Sequence, residues 1–478
     1  MRSDPSGPLP RAARRSWWME EALAQPELAG PPCPPLATDL TADVVILGGG
    51  YTGMWSAYFL KERDPGIDVV LLEQDLCGGG PSGRNGGFVN GLWDELPELN
   101  RRYGHVAARR TCELAARSID EIGAFCERHG VDAWYVRAGD LAVATSPEQE
   151  ASLEETIREA ADHGVPDRFT RLGADELKRR FDSPVVRAGA YTPDSAGVQP
   201  ARLARGLRRV LLERGVRIFE QTPVTRFRSG TSPIAQTPGG SVRAGRAIIG
   251  LNAWAVGWKA FHRALVVRGT SIVLTAPAPD RLAEIGWTRG EGVYDLRTSL
   301  HYLRATPDGR IAFGGAGMLA STRRRIDHRF DYDEEGVRRL VADLHRWFPG
   351  FRDVPLEAAW SGPIDVSARH LPFFGTLPGG AVHYGLGFTG NGVGPCHLGG
   401  QILASLALHA DDGFTRLAVV RHEPLRFPPE PFRSPGMLLV NEAIRRKDDA
   451  EDEGRSPGPL VDFVARIPRR MGYNLGPR

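Results

Sequence analysis

The pattern of apolar and polar positions becomes regular at Asp43. Val44-Val45-Ile46-Leu47 is a continuous apolar run of the kind that forms a strand buried on both faces. A glycine cluster, Gly48-Gly49-Gly50-Tyr51-Thr52-Gly53, follows it, and residues 54–63 read as a helix stopped by Asp64-Pro65-Gly66. Asp68-Val69-Val70-Leu71-Leu72-Glu73 is a second apolar strand, so a complete βαβ unit closes in about 30 residues. Further on, 104–129 reads as an amphipathic helix, with Val106, Ile119, Ile122 and Cys126 near helical spacing and Gly130 ending it. Ser146-Pro147-Glu148-Gln149 carries a Ser cap, Pro at the first helical position and Gln at the third. Another helix is predicted over 200–214 with Leu203, Leu207, Val210 and Leu211 inward, followed by strands at 216–219 and 247–251.

The pattern alters between 265 and 315, where alternation predicts strands at 271–275, 302–305 and 310–313. That points to an antiparallel sheet inserted into an α/β body. Residues 383–408 return to strand, glycine loop and helix. Residues 1–40, rich in Pro, Ala and Arg, read as an arm laid over the surface and pinned by Trp17 and Trp18. The tail from 421 to 478 is Pro-rich, then charged over 445–455, then apolar and basic.

Composition narrows the partners. A chain of 478 residues holds two or three domains' worth of material, and a net charge of +2 excludes an electrostatic case for nucleic acid or an anionic membrane. Five cysteines without metal-type spacing argue against zinc or a disulfide framework, and so for a reducing, cytoplasmic setting. No apolar run reaches the roughly 18–20 residues of a membrane span. Arg14-Arg15 is followed by Trp17-Trp18-Met19-Glu20-Glu21, where an export signal would need an uncharged apolar core, so no signal peptide is expected.

The first chemistry is at the glycine cluster. Gly48, Gly50 and Gly53 fit the dinucleotide fingerprint: a tight turn, a bare approach for a pyrophosphate, and close helix-to-strand packing. The pyrophosphate would sit on the free amides of the helix start at Tyr51 and Thr52. Glu73, at the end of the second strand, is placed to accept hydrogen bonds from the adenosine ribose. The βαβ unit alone does not choose between NAD and FAD. Two more glycine loops do so, 78–87 after the second strand and 385–394 before a helix carrying Leu398, Ile402, Leu403 and Leu406. The latter offers backbone donors and a positive dipole end that suit the negative charge of a reduced flavin.

ADVVILGGGYTGMWSAYFL, SGRNGGF and GLGFTGNGV resemble the FAD-dependent oxidoreductases of the D-amino-acid oxidase, glycine oxidase and sarcosine oxidase superfamily, and most of all its gamma-glutamylputrescine oxidase-like branch. Val198-Gln199-Pro200, Phe313-Gly314-Gly315, 360–365 and 371–375 add to the likeness, which runs from about 15 to 420. The resemblance implies an α/β fold with a discontinuous Rossmann-type FAD-binding domain, built from segments 41–100, 190–260 and 355–420. An α+β substrate domain, with a mainly antiparallel sheet, would come from 101–189 and 261–354. It implies non-covalent FAD held by Gly48, Gly50, Tyr51, Thr52, Gly53, Glu73, Ser82, Gly83, Arg84, Asn85, Gly86, Gly87, Val224, Thr389, Gly390, Asn391, Gly392 and Val393. The chain departs from its relatives at Asn391, where they often carry His; Asn can hydrogen bond to a flavin but cannot be a cation.

The expected activity is oxidation of a C–N bond in a small amine or amino acid, with oxygen as acceptor. Transfer to a quinone or carrier protein is the alternative, and a non-catalytic flavoprotein subunit is the reading from another class. The flavin takes the hydride itself, so no acid–base dyad is required, and none stands out. Tyr302 and Arg304, two apart on a predicted strand, share a face, and an Arg fork with a Tyr hydroxyl suits a substrate carboxylate. Arg84 is a further candidate for substrate contact. Four histidines (His301, His370, His383, His397) read as structural hydrogen-bonders and Cys396 as a small buried residue, with no metal site. Sarcosine oxidase-like relatives use a Lys near the flavin for oxygen; none of Lys61, Lys178, Lys259 and Lys447 is placed there by the sequence.

Overall fold

The computed structural model describes residues 9–10, 12–321, 326–420 and 423–474. Its first sheet has a parallel core in the spatial order Val382–Leu386, Gly240–Ile249, Leu40–Leu47, Val69–Leu72 and Arg217–Phe219. Val44 to Leu47 and Val69 to Leu72 are buried throughout, as expected for strands covered on both faces. Phe373–Thr376 adds an antiparallel edge, and the hairpin Arg226–Arg228 with Ile234–Thr237 extends Gly240–Ile249. Helices Tyr51–Arg63 and Val393–Ala407 pack side by side, with Pro200–Glu213 beside the first.

The second sheet runs Leu356–Ser367, Leu265–Thr275, Ile311–Ala320, His301–Ala305, Gly292–Asp295, Asp140–Ala144, Ala188–Thr192, Thr170–Arg171. It is antiparallel except where Gly292–Asp295 meets Asp140–Ala144. Leu356–Ser367 therefore belongs with this sheet, although the sequence grouped 355–420 with the FAD-binding segments. It pairs with Leu265–Thr275 along nearly its whole length. A boundary at 189 likewise cuts the strand Ala188–Thr192.

The N-terminal arm is not a surface strap. Ser16 caps a short helix, Trp17–Leu23, by accepting from the Met19 amide at 3.1 Å, and its hydroxyl donates to the Gly83 carbonyl at 2.6 Å. Trp18 is fully buried, edge-on to Trp360, in a cluster with Met19, Ala201, Ile272 and Leu274. Two large apolar side chains at the head of a capped turn gain more from burial than from lying on a surface.

The tail also folds back. Helix Arg433–Asp452 docks on the second sheet through buried charges around His301 and Arg297. The His301 ring lies 2.8 Å from Asp295 through Nδ1 and 3.3 Å from Asp343 through Nε2. Burial opposes the imidazolium, but the two carboxylates win and hold its pKa up to about 9. A histidine whose folded pKa lies above its ordinary 6.5 gives stability that is complete below that pH and is lost as pH rises through 9. The melting temperature should therefore fall between about pH 6 and about pH 9.5. A His301→Asn variant should lack that part of the fall. An equal slope in the variant would show that another group titrates.

Candidate active site

The fingerprint turn is built from backbone that only glycine tolerates at two positions. Gly48 has φ +104°, and a Cβ on it would lie 2.5 Å from the Gly250 carbonyl oxygen. A Cβ on Gly53 would lie 2.0 Å from the Gly48 carbonyl oxygen. Gly50 caps helix Tyr51–Arg63 in extended backbone without a side-chain hydrogen bond, and the Tyr51 amide donates to Ser82 Oγ at 2.9 Å. Glu73 accepts from the Gly49 amide at 2.7 Å and the Asp75 amide at 2.9 Å. Burial pushes its carboxyl up to about 7, against the pull of these two amides. The Thr222 amide donates to the Glu73 carbonyl at 2.7 Å, which brings the Val224 segment to the same end of the sheet.

Helix Val393–Ala407 starts from Gly392, again with no side-chain cap. Asp365 holds the loop before it, accepting from the Gly387 amide at 2.5 Å through its carboxylate and from the Thr389 amide at 2.9 Å through its carbonyl. Thr389 takes φ +54° and accepts from the Ser367 amide at 3.1 Å. Asn391 donates to the Gly91 carbonyl at 3.0 Å. The third loop is fixed by Asn85, which donates to the Pro81 and Ser82 carbonyls and accepts from the Gly87 amide at 2.7 Å.

These loops open on one cavity of about 810 Å³. Tyr51, Ser82, Arg84, Asn85, Gly86, Thr389, Gly390, Asn391, Gly392 and Val393 line it, and the second sheet covers it with Arg268, Thr270 and Tyr302. Two helix starts that lack a side-chain cap from Gly50 and Gly392 suit FAD, with Gly50 and Glu73 continuing the cradle beyond the cavity wall. Gly48, Gly50, Thr52, Gly53, Glu73, Gly83, Gly87 and Val224 lie outside the cavity wall. Thr52 turns its hydroxyl to Cys396 Sγ at 3.1 Å, and Gly83 is covered by Ser16 and Met19. Cys396 lines the cavity, and burial pushes its thiol up to about 12, which keeps it protonated and a poor nucleophile.

The substrate-contact candidates divide. Tyr302 lines the cavity with its hydroxyl 2.7 Å from Thr270 Oγ1. Arg304 shares its face of the sheet, since both side chains reach the 86–87 loop, but it does not reach the cavity. Its guanidinium is buried over the Trp18 ring and donates to the Val198 carbonyl. The N-terminal helix fills the space where a substrate carboxylate was expected. Arg84 touches the cavity, but its fork is committed to the carbonyls of Gly79, Ser361 and Arg14 and to Asp331 at 3.2 Å. It braces the loop rather than gripping a substrate.

Sequence reading missed Arg268. It lines the cavity from strand Leu265–Thr275, its Nε is buried without a hydrogen-bond partner, and burial lowers its pKa against the pull of Asp448. The signal was a single cation directly after an apolar run, Leu265-Val266-Val267-Arg268. Asp94 was missed too; it is exposed to the cavity's water, while the cleft around it and the charge of Glu95 push its carboxyl above the ordinary value. His383 and His397 are buried and held neutral by burial, at about 4 and about 3. Among the described residues no group of His, Cys, Asp and Glu could hold a metal ion. All five cysteines are free thiols, and no described helix is long and apolar enough to cross a membrane.

A parallel nucleotide-binding sheet, two open helix starts facing one cavity and a second sheet over it define a flavin-dependent oxidoreductase. The chain belongs to the DAO family of FAD dependent oxidoreductases, whose family model matches residues 43–406. It is 31% identical over 395 residues to gamma-glutamylputrescine oxidoreductase of Escherichia coli K12, covering 81% of this chain and 89% of that one. It is 29% identical over 377 residues to the probable oxidoreductase OrdL of Rhizobium meliloti, covering 77% and 83%. Among solved structures, glycine oxidase from Geobacillus kaustophilus shares the fold, with a TM-score of 0.65 at 22% identity over 80% of this chain and 100% of that one. The protein is thus an FAD-dependent enzyme.

Proposed function

We propose that the enzyme oxidises a C–N bond of a small amine or amino acid, and that its substrate carries a carboxylate as well as an amine. The observation that supports this most is Arg268, a half-buried cation whose Nε is buried without a partner, on the wall of the same cavity as the flavin loops. FAD, when bound, supplies the hydride acceptor. Arg268 offers its guanidinium N–H groups to a carboxylate, and Asp94 offers the opposite charge to an ammonium. Tyr302 has its pKa pushed up to about 12 by burial, so its hydroxyl stays protonated, with Thr270 Oγ1 as partner, and can orient the substrate. Phe88, Leu300 and Phe388 line the cavity and exclude water. The curated relative named above acts, by its name, on gamma-glutamylputrescine.

The test is anaerobic mixing with a panel of amines, amino acids and amines bearing a distant carboxylate. Bleaching of the flavin absorbance is expected to be fastest with the last two groups. An oxidised flavin that none of the panel reduces would overturn the reading. The acceptor is read from reoxidation. Oxygen is our first proposal, but no lysine among the described residues lines the cavity, and this favours a quinone or carrier protein as second reading.

A further inference from the structure

We propose that the C-terminal segment, which lies beyond the family match, is the outer wall of the substrate cavity and sets the length of amine that fits. The inference rests on the cavity being the substrate site. The match ends at residue 406, yet Arg469, Gly472, Tyr473 and Asn474 line the cavity together with the flavin loops. Two independent anchors hold the segment there. At the first, the Asp448 carboxylate accepts from the Thr298 and Ser299 amides at 3.3 and 2.9 Å, and Asp452 pairs with Arg297 at 3.0 Å. Thr298 and Leu300, on that same loop, are themselves cavity residues. At the second, the Asn474 amide donates to the Ala368 carbonyl at 2.9 Å, and the Tyr473 ring lies 5.3 Å from Phe427. Ala368 follows Ser367, whose amide holds Thr389 of the flavin loop.

Between the anchors, the short helices Pro459–Ala465 and Ile467–Arg470 carry the chain back to the cavity. Glu155 and Glu159 of helix Pro147–Asp162 line the same cavity. On this proposal, a substrate reaching from the flavin loops along the cavity ends against Tyr473, which lines it from the tail. Removing that wall leaves the flavin loops and both sheets in place but lengthens the cavity.

The experiment compares the full chain with one ending at Arg455, which keeps helix Arg433–Asp452 docked, and with Tyr473→Ala. Flavin content and melting temperature report folding. The kcat/KM ratio for a long N-alkyl amine over a short one should rise about tenfold in both variants, the scale of one or two pocket contacts. Iodide quenching of the bound flavin's fluorescence should also become severalfold more efficient in the shortened chain, a readout that needs no substrate. An unchanged ratio with unchanged quenching overturns the proposal. A full-length flavin that no amine reduces overturns the functional reading instead, while quenching still decides whether the segment covers the flavin.

Discussion

A Gly50→Val variant is expected to fold and to carry no flavin. Gly50 sits at φ −82° and ψ −178°, extended backbone that valine adopts readily. A Cβ there meets only Ser82 Oγ, at 3.0 Å, so the protein itself leaves room for it at small cost. The methyl groups would project in front of the first turn of helix Tyr51–Arg63, whose positive dipole end suits a pyrophosphate. Gly53→Ala is the contrasting variant: its Cβ lies 2.0 Å from a backbone oxygen that cannot give way, so it should lose folding rather than cofactor alone. Glu73→Ala should do less than either, weakening FAD by roughly ten- to a hundredfold. That corresponds to charge-assisted hydrogen bonds of about 1.5–3 kcal/mol. Flavin-to-protein ratio and far-ultraviolet circular dichroism separate the three. Full flavin occupancy in a folded Gly50→Val protein would move the pyrophosphate elsewhere.

Arg268→Leu is expected to lower kcat/KM by about a hundredfold without lowering the melting temperature. A bidentate charged contact in a sheltered pocket is worth a few kcal/mol to the transition state. In the free protein the same guanidinium is a burden, since burial disfavours its charge and its Nε has no acceptor. Activity and stability should therefore move apart, the signature of a side chain kept for its ligand. Arg268→Lys should restore only part of the rate, because an ammonium cannot reproduce the planar fork. Arg304→Leu should leave flavin and kinetics less affected than Arg268→Leu, because its guanidinium lies over Trp18 and outside the cavity. Unchanged kinetics in Arg268→Leu would remove the carboxylate from the proposed substrate.

The cofactor end was legible because its constraints are local. A buried strand, a turn requiring glycine and an acid at the next strand's end lie within one βαβ unit, and the pattern of apolar residues reports each of them. The helix start at Ser146 was equally plain: Ser146 Oγ accepts from the Gln149 amide at 3.3 Å, and Gln149 reaches back to the Thr145 amide at 3.1 Å. The substrate end depends on what covers what. Alternation correctly put Tyr302 and Arg304 on one face, but period two says nothing about depth along that face. Trp18 arrives from almost 290 positions upstream to cover Arg304, and no local signal announces it. The tail held a clearer clue than its composition suggested. Glu442 with Arg446, Arg445 with Asp449 and Lys447 with Glu451 are pairs four apart, the spacing that supports a helix, and all three form ion pairs.

The buried Trp18 also bears on where this protein begins and ends as a unit of inheritance. The family model matches residues 43–406, but a chain cut to that span would lose Trp18 from beside Trp360 and Arg304, and would lose the helix that neutralises Arg297. The matched span and the physically self-sufficient one therefore have different borders here. Transplanting the common segment into a relative, or swapping it between them, would succeed only if both flanking pieces travel with it.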